Sequence, residues 1–337
     1  MTDSPVLEVF DLGFPWRTFD PFLFCVHHLD EFPVGNEQMG PDPSLLRGRR
    51  MGMDFEIRDG WRMYHGEVVP GFPAHPHRGF ETITVARQGF IDHSDSLGAK
   101  ARFGRGDVQW MTAGRGVVHS EMFPLLSKDE PNTGELFQIW LNLPKERKMA
   151  RPHFAMFWSE DIPVVVNDGV EVTVIAGGYG GASPLAPPPN SWASREHADV
   201  AVWSARIAPG VTWTLPTTRE TTVRAVYLVD GDGVRVGDVE VTPGRGARVR
   251  ADVALDVTAG PSGADVLVLQ GQPIDEPIAQ HGPFVMNHPG EIRQAMIDYQ
   301  QTRFGGWPWD RPDPVHPRDA GRFAVHVDGR HETPPAK

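Results

Sequence analysis

Residues 71–81, GFPAHPHRGFE, and residues 114–122, GRGVVHSEM, decide how this chain is read. The first stretch sets His75 and His77 two positions apart, and the second does the same with His119 and Glu121. In an extended chain, residues i and i+2 point to one face, so each pair offers two ligand atoms to the same cavity. Two neighbouring strands then bring four together. Three imidazoles and one carboxylate suit a divalent first-row ion such as Fe, Mn, Ni, Cu or Zn, whereas Ca and Mg prefer oxygen alone. Glycines stand beside both pairs, Gly71 and Gly79 at the first and Gly114 and Gly116 at the second, as turns at strand ends require. Pro76 has no N–H to give to a ladder and so puts the first pair at a sheet edge or cavity mouth. One histidine alone is more often structural than a ligand. The repeated spacing is what makes a shared metal the reading here.

Outward from these motifs the pattern is strand and turn. Ile83 and Val85 alternate with Thr82 and Thr84, residues 107–111 and 117–123 run extended, and residues 136–143 alternate again before Pro144. A second region of the same grammar covers residues 201 to 269, with Asp230-Gly231-Asp232-Gly233 as a hairpin turn rather than a Ca loop. No histidine falls between His197 and His281, so no metal is expected there. Repeated strands without intervening helices make a sandwich or small barrel, and closure hides the strand edges. A barrel interior lined by alternate residues is where the four ligands would meet. Residues 177–189, GGYGGASPLAPPP, read as a loop or linker.

The fold class expected is therefore all-β, two β-barrel domains with a short C-terminal helix. The expected division is residues 1–160 as an N-terminal metal-binding domain, 161–286 as a second barrel without metal, 287–304 as an amphipathic helix, and 305–337 as a proline-rich extended tail. Ile292, Ala295, Met296 and Tyr299 form the helix stripe, with Asn287 as a cap candidate.

A length of 337 residues exceeds what one hydrophobic core usually serves, in keeping with two domains. Hydrophobic residues at 40% and charged ones at 23% exclude general disorder. The net charge of −12 argues against direct nucleic-acid binding, and Arg47, Arg49 and Arg50 read as a solvated loop. Cys25 cannot form an internal disulfide; flanked by Phe22, Leu23, Phe24 and Val26, it reads as a buried thiol in a reducing compartment. No secretory leader and no membrane-length apolar run are evident, so the expectation is a cytoplasmic monomer that binds no membrane.

GFPAHPHRGFETIT, GDVQWMTAGRGVVHSEM, FQIWLNLPKERKM, VIAGGYGG and GPFVMNHPGEIRQAMIDYQ resemble the signatures of the pirin family, in order, across residues 20 to 304. The resemblance implies a bicupin, two cupin barrels in one chain, with a single metal in the N-terminal barrel. It places the ligands on His75, His77, His119 and Glu121, and the metal foremost as Fe2+, with Zn, Ni, Mn or Cu as alternatives. A rival assignment exists within the wider cupin superfamily, where the carboxylate comes from the first motif and Glu81 has the right spacing. Both glutamates satisfy the period-2 phase; the pirin resemblance assigns Glu121, leaving Glu81 as a buried hydrogen-bonding residue.

The activity implied is that of quercetin 2,3-dioxygenase: a flavonol binds through its 3-oxygen, dioxygen adds, and the central ring opens with release of carbon monoxide. Glu121 would be ligand and catalytic base together. Phe55, Phe80, Trp110 and Met111 are candidates for the cavity wall. The resemblance also implies an alternative, a metal- or redox-responsive regulator acting through a protein partner. A structural Zn site is disfavoured by the absence of cysteine ligands.

Overall fold

The computed structural model describes residues 4–336. The chain forms two compact units, each drawn from three stretches. One comprises Met1–Val26, Ile139–Pro144 and Glu160–Asp275; the other comprises His27–Gln138, Lys145–Ser159 and Glu276–Lys337. The expected boundary at residue 160 coincides with one crossing, between Ser159 and Glu160, but the units are not two consecutive segments. The reason is strand pairing: Val6–Asp11 lies antiparallel to Arg245–Arg250, with Phe10 opposite Gly246. Phe323–Val325 likewise lies against Lys100–Gly104. Edge pairing between segments remote in sequence leaves no local trace, so composition alone cannot find it.

In the first unit a seven-stranded sheet runs in the order Val6–Asp11, Arg245–Arg250, Val223–Gly231, Ala264–Gly271, Ala201–Ile207, Val170–Ala176, Val164–Asn167. A four-stranded sheet of Thr212–Leu215, Leu255–Ala259, Val234–Val236 and Val239–Val241 belongs to the same unit. Alternate residues of both, including Trp203, Trp213, Val226, Val236, Val257 and Val268, fill one apolar core. The glycine-rich loop packs onto this core. Tyr179 sits against the Trp203 and Trp213 rings, and its hydroxyl accepts from Trp213 Nε1 at 2.7 Å.

In the second unit a six-stranded sheet runs His331–Glu332, Phe323–Val325, Lys100–Gly104, Phe90–Asp95, Val117–Met122, Gly71–His77. A five-stranded sheet is ordered His153–Phe157, Val108–Thr112, Phe80–Gln88, Asn132–Asn142, Phe22–Phe32, of whose last two strands residues 132–138 and 27–32 belong to this unit. Phe32, Ile91, Phe103, Leu136, Phe154 and Met156 pack within this barrel. Gly71–His77 is an edge strand, as Pro76 demands.

The helix spans Pro289–Thr302 and buries Ile292 and Ala295. His288, not Asn287, is its N-cap. The Asn287 amide is engaged by Glu276 and the Pro277 carbonyl, while Glu291 accepts from the backbone N–H groups of Asn287 and His288. The tail beyond the helix is not a free arm: it supplies two strands of the six-stranded sheet. Among the described residues no helix is long and apolar enough to cross a membrane.

Candidate metal centre

The ladder between Gly71–His77 and Val117–Met122 sets His75 directly opposite His119 and Phe72 opposite Glu121, with a register shift between Phe72 and His75. On the other flank of Val117–Met122, Asp95 faces His119 and His93 faces Glu121. Residues that face one another across a ladder share a side of the sheet. Two rows result: Asp95, His119 and His75, then His93, Glu121 and Phe72. Both point into the barrel.

The ligand atoms of His75, His77 and His119 all lie within 4.8 Å of one another. Their ring centroids are 4.5 Å apart for His75 and His119, and 4.8 Å for each of the other two pairs. Burial pushes all three imidazoles down, His75 to about 4 and His77 and His119 well below their ordinary value. At neutral pH they are uncharged, which is the state a metal requires.

His75 Nδ1 lies 2.8 Å from the Pro73 carbonyl, which can only accept, so Nδ1 holds the proton and Nε2 keeps its lone pair for an ion. Both ring nitrogens of His119 are buried without a hydrogen-bond partner. Folded proteins rarely leave such groups unmatched, and an ion in the triad satisfies one of them. The residues present therefore fit a divalent metal.

Glu121 stands beside this triad rather than inside it. Its Oε2 is 3.9 Å from His119 Nε2 and accepts from Gln138 Nε2 at 3.4 Å. Burial pushes its carboxyl up, while the charge of His93 and the hydrogen bond from Thr84 act in the opposite sense. Thr84 Oγ1 is 3.0 Å from Glu121 Oε1 and 2.7 Å from Gln138 Oε1. One hydroxyl hydrogen serves one acceptor at a time, so Thr84 donates to Glu121 or to Gln138 but not to both at once.

Glu81 is turned elsewhere. The ladder from Glu81 opposite Thr112 to Val85 opposite Val108 has no shift, so Glu81 and Thr84, three apart, occupy opposite faces. Thr84 reaches Glu121; Glu81 accepts from Thr112 Oγ1 at 2.5 Å. The same parity sorts the expected cavity wall. Met111 faces Thr82 across the ladder and points inward, whereas Trp110 faces Ile83 and packs on Phe157. Phe80 lies edge-on to His77 at 5.1 Å. Phe55 does not touch the triad rings among the ring contacts of the described residues; it packs on Phe72, whose ring is 6.3 Å from that of His75.

His93 was missed by the sequence reading, although His93 and Asp95 form another period-2 pair. It is fully buried, stacks on Phe154, and lies 5.5 Å from His119 between ring centroids. Thr84 and Gln138 carry no motif that would reveal them. A cavity of about 230 Å³ opens in the same barrel, lined by Ile91, Phe123 and Leu136 together with Phe32, His28 and Asp30. Ile91 and Leu136 stand two residues along their strands from His93 and Gln138, and Phe123 follows the end of the strand that carries Glu121; neither the triad nor Glu121 lines this cavity.

Two antiparallel barrel units, one of them gathering three neutral imidazoles, His77 and His119 buried and His75 half-buried, define a bicupin with one candidate metal centre among the described residues. The chain belongs to the pirin family: the Pirin model matches residues 46–141 and the Pirin C-terminal cupin domain matches residues 202–305. A Pseudomonas aeruginosa protein provisionally named a quercetin 2,3-dioxygenase is 38% identical over 237 residues, 69% of this chain and 79% of its own. Pirin of Homo sapiens is 33% identical over 247 residues, 72% of this chain and 80% of its own. The crystal structure of quercetin 2,3-dioxygenase from Acinetobacter baumannii matches with a TM-score of 0.70 at 28% identity, over 89% of this chain and 98% of that chain.

Proposed function

We propose that this chain is a metal-dependent dioxygenase of the quercetin 2,3-dioxygenase type. One divalent ion, foremost Fe2+, would be held by His75, His77, His119 and Glu121. The observation that carries the reading is the triad itself, three neutral imidazoles converging in a buried site with the His119 nitrogens unmatched. When bound, the ion supplies Lewis acidity and an electron relay between flavonol and dioxygen. Both atoms of dioxygen enter the product, and one ring carbon leaves as carbon monoxide.

The protein's own side chains supply the rest. Glu121, whose proton affinity burial raises, takes the proton of the flavonol 3-hydroxyl. Thr84 and Gln138 hold its carboxylate in place. The cavity of the same unit offers Phe32, Ile91, Phe123 and Leu136 to the aromatic rings, with His28 and Asp30 on its lining as polar partners. The names of the Pseudomonas and Acinetobacter relatives support the same chemistry.

The test is oxygen uptake by Fe2+-loaded protein with quercetin, beside metal analysis of the same sample. Turnover that disappears in His119→Ala, together with the metal, is the expected result; Glu121→Ala is expected to lose turnover and to weaken metal retention. Full metal occupancy with no oxygen uptake on any flavonol would replace the enzyme with the regulatory reading, a protein-binding partner whose state follows its metal.

A further inference from the structure

Residues 306–337 lie outside both matched family ranges. Their contacts within the metal-bearing unit are nevertheless specific. The Trp309 indole N–H donates to the Asp95 carbonyl at 2.9 Å, on the residue that faces His119. The Pro312 carbonyl accepts from the Ala74 N–H at 2.7 Å. Ala74 precedes His75 in the irregular stretch of the edge strand, so this bond fixes the backbone next to a triad member.

Further on, the segment meets a fully buried ion pair. Arg102 grips Asp92 through two 2.7 Å bonds, and both residues have no exposed surface. A buried guanidinium must have its remaining donors satisfied, or the pair costs more than it contributes. Here the tail does so: the carbonyls of His316 and Pro317 accept from Arg102 at 2.9 and 2.7 Å, and the His316 N–H donates to Asp92 at 2.7 Å. Arg318 then donates to the carbonyls of Leu125, Leu126 and Asn36. Leu125 and Leu126 line the cavity of the same unit.

We propose that residues 306–336 are a positioning strap for the metal centre and the cavity of the same unit. The strap fixes the backbone beside His75 at one end and the Leu125–Leu126 wall at the other, so it sets how long the triad retains its ion. This role rests on the metal-site reading above. A chain ended after Gly306 and the full-length double variant Trp309→Phe/Arg318→Ala test it, with Ni2+ alone as the probe. Ni2+ release to a chelator and amide exchange at Ala74 and Leu125 are measured against the wild type.

Both rates are expected to rise at least roughly tenfold in the truncated chain, since one hydrogen bond net of water is worth about that factor and the truncation removes several, and to rise in the same direction in the double variant. Exchange within Val223–Gly231 is expected to stay unchanged. Wild-type Ni2+ release and wild-type exchange at Ala74 in both variants would overturn the strap, as would exchange raised equally throughout the chain, which marks a general stabiliser. If the truncated chain does not fold, the double variant decides. If the wild type takes up no Ni2+, the metal reading fails, and exchange at Ala74 and Leu125 still decides whether the strap exists.

Discussion

His28 shows how one side chain couples this fold to pH. It is buried, and its pKa is lowered to about 3 by burial first, then by the charges of Arg62 and His27. Its Nδ1 lies 2.9 Å from the Tyr64 hydroxyl, which donates to Asp30 at 2.5 Å, so the neutral ring is part of a closed polar network. Because the folded value lies below the ordinary 6.5, the unfolded chain takes up the proton first as pH falls. Stability from this group is therefore complete above pH 6.5 and is lost as the pH drops towards 3, by up to about 1.4 kcal/mol per unit. The buried triad histidines act with the same sign, so the measurement is a difference. Urea unfolding midpoints at pH 7 and pH 5 should fall less in His28→Gln than in the wild type; parallel slopes in the two proteins would refute the assignment.

At the scale of elements, the corner between Gly71–His77 and Phe80–Gln88 determines which glutamate approaches the triad. Gly79 turns it with φ of 88°, and a Cβ there would stand 1.9 Å from the Val285 carbonyl oxygen. Only glycine allows both the left-handed backbone and that approach. Gly79→Ala is expected to cost about 1–3 kcal/mol from backbone strain, with the clash added, and to lower the denaturant midpoint. An unchanged midpoint would mean that the corner relaxes freely. Because the chain reverses at Gly79, the period-2 phase of His77 does not extend to Glu81. Counting residues across a turn is not counting along a strand.

For the molecule as a whole, the two units are completed by the chain's ends. Val6–Asp11 closes one edge of the seven-stranded sheet by pairing with Arg245–Arg250, and Phe323–Val325 extends the six-stranded sheet beside Lys100–Gly104. An uncovered edge presents free N–H and C=O groups, so terminal strands are part of the fold. Deleting residues 1–12 should raise amide exchange across Arg245–Arg250 by at least roughly tenfold and lower the thermal midpoint. Unchanged protection in that strand would show that the terminal pairing contributes little.

Local physics made much of this protein legible from sequence. Side-chain alternation in an extended chain puts His75 with His77 and His119 with Glu121, and the missing N–H of Pro76 marks an edge strand. The strand-and-turn grammar and the pirin signatures pointed to two barrels. Tertiary structure alone turned Glu81 towards Thr112, set Glu121 beside His119, brought His93 into the barrel, and paired Val6–Asp11 and Phe323–Val325 with strands remote in sequence. Periodicity is a property of neighbouring residues and can be counted along the chain. Register across a corner, and the partner of a sheet edge, depend on segments that meet only once the chain has folded.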